Sequence, residues 1–129
     1  MAHRLLIVDD DPDIVETLKK RLIKEQYEVS TAFDGEEALL KVKEDNPDII
    51  LLDLMLPKIN GFEVLKEIRE KHRDKWRPVI IISAKNELES VKQCYDLEAD
   101  HYLTKPCDMD KVLRGIETMI SLIPARISK

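Results

Sequence analysis

Four short, unbroken apolar runs punctuate the chain: Leu5–Val8, Ile49–Leu52, Val79–Ile82 and, more weakly, Tyr102–Leu103. Runs this short and continuous predict strands covered on both faces, as in a parallel sheet sandwiched between helices. A fifth segment, Tyr27–Ala32, alternates instead. Tyr27, Val29 and Thr31 share one face and Glu28 and Ser30 the other, which suits an edge strand.

Between the strands the apolar spacing changes to three and four. Ile14, Val15, Leu18 and Leu22 form the stripe of a first helix, opened by Asp11-Pro12, where Asp can cap and Pro can fill the first turn. Asp34-Gly35 precedes a second helix carrying Ala38, Leu39 and Val42 and stopping before Asn46-Pro47. Phe62, Leu65 and Ile68 mark a third, and Leu88, Val91 and Tyr95 a fourth. The last runs from about Asp108 through Val112, Leu113, Ile116 and Ile120 to an expected stop at Pro124.

Strand and helix thus alternate five times, which predicts an α/β fold with a doubly wound, five-stranded parallel sheet. Right-handed crossovers place helices on both faces. The length of 129 residues fits one domain. We expect residues 1–124 to form it, with 125–129 a short tail and no effector domain after it. No repeats or low-complexity tracts interrupt the chain; the Arg73–Pro78 connection and the last five residues are the expected loose segments.

Composition removes several function classes. Lys and Arg number 21 against 26 Asp and Glu, a net charge of −5, and neither end carries a basic block. That argues against direct binding of nucleic acid, which needs a concentrated basic surface. No apolar run reaches the roughly 18 residues of a bilayer span. Cys94 and Cys107 are too few and too far apart for a disulfide framework or a zinc site, so two reduced cysteines in a cytoplasmic protein are expected.

The chemistry lies at the carboxyl ends of the apolar runs. Counting all five predicted strands, Asp9, Asp10 and Asp11 come after the first, Asp53 after the third, Ser83 after the fourth, and Thr104-Lys105-Pro106 after the fifth. In a parallel sheet these positions gather at one edge, where ligands bind in such folds. Asp9, Asp10 and Asp53 would repel one another unless a cation intervenes. Three negative charges against one divalent cation and Lys105 sum to zero, and oxygen donors without His or Cys favour Mg²⁺. Asp10, Asp53 and a carbonyl just after Asp53 are the expected ligands. A carboxylate held there can act as nucleophile toward phosphorus, with Lys105 and Ser83 placed to stabilise the transferred group. Asp11 reads more simply as a helix cap.

These segments, Leu5–Asp11, Pro47–Pro57, Asn60-Gly61, Ile82–Ala84 and Tyr102–Pro106, resemble a response-regulator receiver domain of two-component signalling. The resemblance implies the strand order 2-1-3-4-5, which is the flavodoxin-like order of this fold class. It implies that Asp53 accepts a phosphoryl group from a sensor histidine kinase or phosphotransfer protein. Asp10, Asp53 and the Met55 carbonyl would bind Mg²⁺, with Asp9 acting through water. Ser83 and Tyr102 would form the switch pair, and Lys105 would hold the phosphoryl oxygens beside a cis Lys105–Pro106 bond. The surface of the fourth helix, fifth strand and fifth helix would then signal to a downstream partner or effector, or pair two copies. Met55 and Lys85 stand where the family tunes phosphoryl lifetime, and a Met there predicts moderate to slow loss.

Two positions depart from the family pattern. Glu98 stands where a glycine commonly precedes Ala99-Asp100, so this turn avoids a positive φ or bears its cost. Cys107 replaces a bulkier apolar residue and reads as a small core filler. Two rival readings remain: a haloacid-dehalogenase-like phosphatase with Asp9 as nucleophile, and a degenerate receiver that only binds partners. Under the resemblance the domain is not an enzyme acting on a separate substrate; it catalyses only its own phosphotransfer and slow dephosphorylation.

Overall fold

The computed structural model describes residues 3–85 and 87–127, with side chains up to 123. Its elements run β1 (Arg4–Val8), α1 (Pro12–Lys24), β2 (Glu28–Ala32), α2 (Gly35–Asp45), β3 (Ile49–Leu52), α3 (Gly61–Lys71), β4 (Val79–Ser83), α4 (Leu88–Asp96), β5 (His101–Thr104) and α5 (Met109–Ile127). The sheet is wholly parallel in the order β2-β1-β3-β4-β5, so β2 is an edge strand.

Because side chains alternate across a strand, the apolar runs split into two cores. Leu6, Val8, Ile50, Leu52 and Ile81 face one way and pack with Ala38 and Val42 of α2, Val64, Leu65 and Ile68 of α3, and Cys94 of α4. Leu5, Ile7, Ile49, Leu51, Ile80 and Ile82 face the other, against Val15, Leu18 and Leu22 of α1 and Val112, Ile116 and Met119 of α5. Continuous hydrophobicity is therefore required: either face of an inner strand meets a helix, and a polar residue on either would be stranded.

Local chemistry starts the helices. Asp11 caps α1 by accepting from the Asp13 amide at 2.9 Å, with Pro12 in the first turn. Asp34 accepts from the Glu37 amide at 2.8 Å while Glu37 reaches back to the Phe33 amide, also at 2.8 Å. Asn60 accepts from the Glu63 amide at 3.0 Å to open α3.

Three expectations change, and one alternative left open is decided. α5 continues through Pro124 to Ile127, so the expected boundary at 124 falls inside a helix. One proline removes a single i→i−4 hydrogen bond, and the helix tolerates that loss here. On α4, Leu88 and Tyr95 are exposed and the buried residue is Cys94, so the Leu88–Val91–Tyr95 stripe is not its core face. The Arg73–Pro78 connection is pinned. Arg77 is 3% exposed and donates to the Pro47 carbonyl at 3.2 Å, the His72 carbonyl at 3.0 Å, Asn46 Oδ1 at 2.7 Å and the Asp74 carboxylate at 3.1 Å. Lys75 adds a 2.9 Å pair with Asp48. Finally, Glu98 bears the positive φ, at 69°.

Candidate functional site

The register of the inner strands assembles the site. Val8 pairs with Leu52, and the Asp53 amide donates to the Val8 carbonyl at 2.9 Å, which sets Asp9 beside Asp53. Ser83 pairs with Thr104, and the Lys105 amide donates to the Ser83 carbonyl at 2.9 Å, carrying the lysine to the same edge. The Lys105–Pro106 peptide bond is cis.

Lys105 Nζ lies 2.6 Å from Asp9 Oδ2 and 2.9 Å from Asp53 Oδ2. The remaining oxygens are held by the backbone: Asp9 Oδ1 accepts from the Asp11 amide at 2.9 Å and Asp53 Oδ1 from the Met55 amide at 3.1 Å. Asp9 and Asp53 are buried and Asp10 is exposed, yet one carboxylate oxygen from each lies within 4.8 Å of the others. The cluster opens into a cavity of about 770 Å³ that Met55, Lys85 and Phe62 also line.

Burial raises the Asp9 pKa above its ordinary value; the Lys105 and Asp11 hydrogen bonds oppose this without reversing it, and the Asp53 charge adds to it. For Lys105, burial alone would favour the neutral amine, but hydrogen bonds to Asp9 and Asp53 overcome it and raise the pKa, so the side chain is an ammonium at neutral pH. One ammonium against three carboxylates leaves two negative charges. An oxygen-only cluster with that residual charge suits a hard divalent cation of the Mg²⁺ type.

Not every expected residue lines the cavity. Ser83 is fully buried, and its Oγ accepts from the Lys85 amide at 3.4 Å. Tyr102 is half-buried, packs against the core beneath α4, and donates its hydroxyl to the Lys85 carbonyl. Burial, with smaller contributions from Cys94, Glu87 and Asp53, pushes the Tyr102 phenol up to about 12. The backbone of Lys85 is therefore where these two side chains meet, and Lys85 also lines the acidic cavity. No sequence signal marks that junction, because it depends on how the loop after β4 folds over β5. Cys107 is half-buried and packs with the α1–α5 core, as a filler would.

The family model of the response regulator receiver domain matches residues 5–117. The chain belongs to the response-regulator receiver family. Over 120 residues this receiver is 42% identical to the alkaline phosphatase synthesis transcriptional regulatory protein PhoP of Bacillus subtilis, covering 93% of the chain and 49% of that protein. It is 36% identical over 123 residues to response regulator ArlR of Staphylococcus saprophyticus, covering 95% of the chain and 54% of that protein. The receiver thus spans about half the length of the curated relatives it matches. Among solved structures, the receiver domain of the Francisella response regulator 1452 superposes with a TM-score of 0.84 at 32% identity, covering 91% of this chain and 95% of that one. The chemotaxis protein CheY4 of Vibrio cholerae gives 0.86 at 28% identity, covering 92% and 99%.

Proposed function

We propose that Asp53 is the phosphoacceptor of this receiver. The supporting observation is the convergence of Asp9, Asp10, Asp53 and Lys105 at the carboxyl edge of the sheet, with an ammonium within 3 Å of two carboxylates. An Asp53 carboxylate oxygen attacks phosphorus, the bond from phosphorus to the donor's leaving group breaks, and an aspartyl phosphate forms. Lys105 pairs with a phosphoryl oxygen, and the Ser83 hydroxyl donates to another once the Lys85 segment shifts.

Asp10, Asp53 and the Met55 carbonyl would hold Mg²⁺, with Asp9 contributing through water. The ion supplies charge neutralisation at the transferring phosphoryl group. The donor is a sensor histidine kinase or a phosphotransfer protein. The domain acts on its own carboxylate rather than on a turned-over substrate, and it works in the cytoplasm. No helix among the described residues is long and apolar enough to cross a membrane.

For output, the exposed Leu88 and Tyr95 of α4, together with β5 and α5, form the surface that contacts a downstream protein or effector domain and pairs two phosphorylated copies. Sedimentation with and without a phosphoryl mimic tests the pairing; an unchanged mass would remove it.

The deciding experiment is intact-mass analysis after incubation with Mg²⁺ and acetyl phosphate, comparing wild type with Asp53→Asn. One added phosphoryl group in wild type alone is expected. Modification that survives Asp53→Asn and vanishes in Asp9→Asn would instead favour phosphatase-like chemistry. No modification and no Mg²⁺ binding would mean a partner-binding domain.

A further inference from the structure

One wall of the acidic cavity is the loop between β3 and α3, where Met55, Pro57 and Asn60 line it. The Gly61 amide closes the base of this loop by donating to the Leu54 carbonyl at 2.9 Å. At its start the Met55 amide is held on Asp53 Oδ1 at 3.1 Å. Every residue from Met55 to Asn60 is exposed or half-buried, so burial alone does little to fix the loop's shape.

The tip of the loop rests on the start of α2. The Gly35 amide donates to the Pro57 carbonyl at 3.4 Å. Lys58, at φ 68°, sets its ammonium 3.6 Å from Asp34 Oδ2. A Cβ on Gly35 would lie 2.0 Å from the Ile59 carbonyl oxygen and 2.7 Å from Ile59 Cβ. Three successive loop residues therefore each meet Asp34 or Gly35. The glycine is required for space and not for its backbone angles, because its φ is not positive. The obstacle is backbone, which cannot swing aside as a flexible side chain would. On the α2 side the contact is stiff: Asp34 and Glu37 cap the helix reciprocally, and Gly35, Ala38 and Val42 are buried.

We infer that the first turn of α2 braces this loop, and that Gly35 is thereby a positioning residue for the Met55 carbonyl. That role rests on Met55 serving as a ligand of Mg²⁺ beside Asp10 and Asp53. Met55 is suspended between two fixed points: its own amide on Asp53, and Pro57 two residues on, held by Gly35. Mg²⁺ demands near-ideal octahedral geometry, whereas Ca²⁺ accepts looser and more variable shells of oxygens. Displacing the loop by part of an ångström therefore acts more on Mg²⁺ than on Ca²⁺. A general loss of stability would act on both ions alike.

Titration of the full chain with Mg²⁺ and, separately, Ca²⁺, followed by NMR at the Asp53 and Met55 amides, tests the brace. The variants are Gly35→Ala and Leu40→Gly; Leu40 is exposed on α2, and glycine there weakens the helix away from its first turn. We expect Gly35→Ala to weaken Mg²⁺ binding about tenfold and Ca²⁺ binding less than about threefold, with Leu40→Gly changing neither by more than about twofold. Unchanged Mg²⁺ affinity in Gly35→Ala, or both ions weakened by one factor, would overturn the brace alone. A wild type that binds no Mg²⁺ would remove the metal site and the brace with it. If Gly35→Ala does not fold, Asp34→Ala and Asp34→Asn decide. Both lose the same charge, but only asparagine keeps the cap, so the alanine variant should bind Mg²⁺ about threefold more weakly than the asparagine variant. Equal affinities would overturn the brace.

Discussion

Replacing Glu98 by glycine should stabilise this protein. Glu98 sits at φ 69° in the turn from α4 into β5, a conformation in which a Cβ crowds the following carbonyl at a cost of about 1–2 kcal/mol. Its side chain is exposed, and the hydrogen bonds at this position run through backbone atoms that glycine keeps, including the carbonyl that Arg69 binds. Against the relief stands the extra freedom of glycine in the unfolded chain, about 0.5–1 kcal/mol. The difference is a net gain of about 0.5–1 kcal/mol. Urea unfolding of wild type, Glu98→Gly and Glu98→Ala measures it. With a slope of about 1–3 kcal/mol/M, Glu98→Gly should shift the midpoint upward by roughly 0.2–1 M. Glu98→Ala should show no such gain, because alanine keeps the offending Cβ. Equal stability of the two variants, or a glycine variant below wild type at unchanged slope, would refute the argument from φ.

Gly61→Ala should damage the site from behind: a Cβ there would lie 2.4 Å from the Asp53 carbonyl oxygen and from Leu54 Cα. We expect about 1–3 kcal/mol of destabilisation in thermal unfolding, with slower phosphorylation from acetyl phosphate. Gly115→Ala, whose Cβ would meet a side-chain atom of His101 at 3.2 Å, should cost less. Asp10→Asn should weaken Mg²⁺ binding at least tenfold, about 1.4 kcal/mol, by titration calorimetry, while leaving stability equal or higher because one of three crowded charges is gone. For Asp48, burial alone would raise the pKa, but the Arg4 amide and Lys75 hold it below the ordinary value of 3.8. Its contribution is therefore present above pH 3.8 and lost as pH falls through the lower folded value, up to about 1 kcal/mol; Asp48→Asn should flatten that acid limb of the stability curve. Met55 is 55% exposed at the cavity mouth, and Met55→Asn should shorten the phosphoryl lifetime about threefold, under 1 kcal/mol of barrier, in a decay assay with Mg²⁺ present.

Much of this was legible in the chain itself. The apolar runs of four residues, each closed by polar or turn residues, mark the buried strands, and capping residues such as Asp11, Asp34 and Asn60 act on amides two or three positions away. The site was legible for a topological reason: residues at the carboxyl ends of parallel strands must share an edge, so Asp9, Asp53 and Lys105 converge once the strands do. Tertiary structure decided the rest, where the deciding partner is remote in sequence. α4 carries apolar residues on more than one face, and only its placement over the sheet buries Cys94 and leaves Leu88 and Tyr95 in water. The Arg73–Pro78 connection looked loose because its charges suit solvent, until Pro47 and Asn46, some 30 residues away, supplied acceptors for Arg77. Glu98 holds a backbone conformation that its own chemistry disfavours, in a turn where Arg69 from α3 binds its carbonyl. Periodicity and caps act over one or two turns and can be read along the chain. Choices between faces, and the burial of a charge, are settled by groups that meet only when the chain has folded.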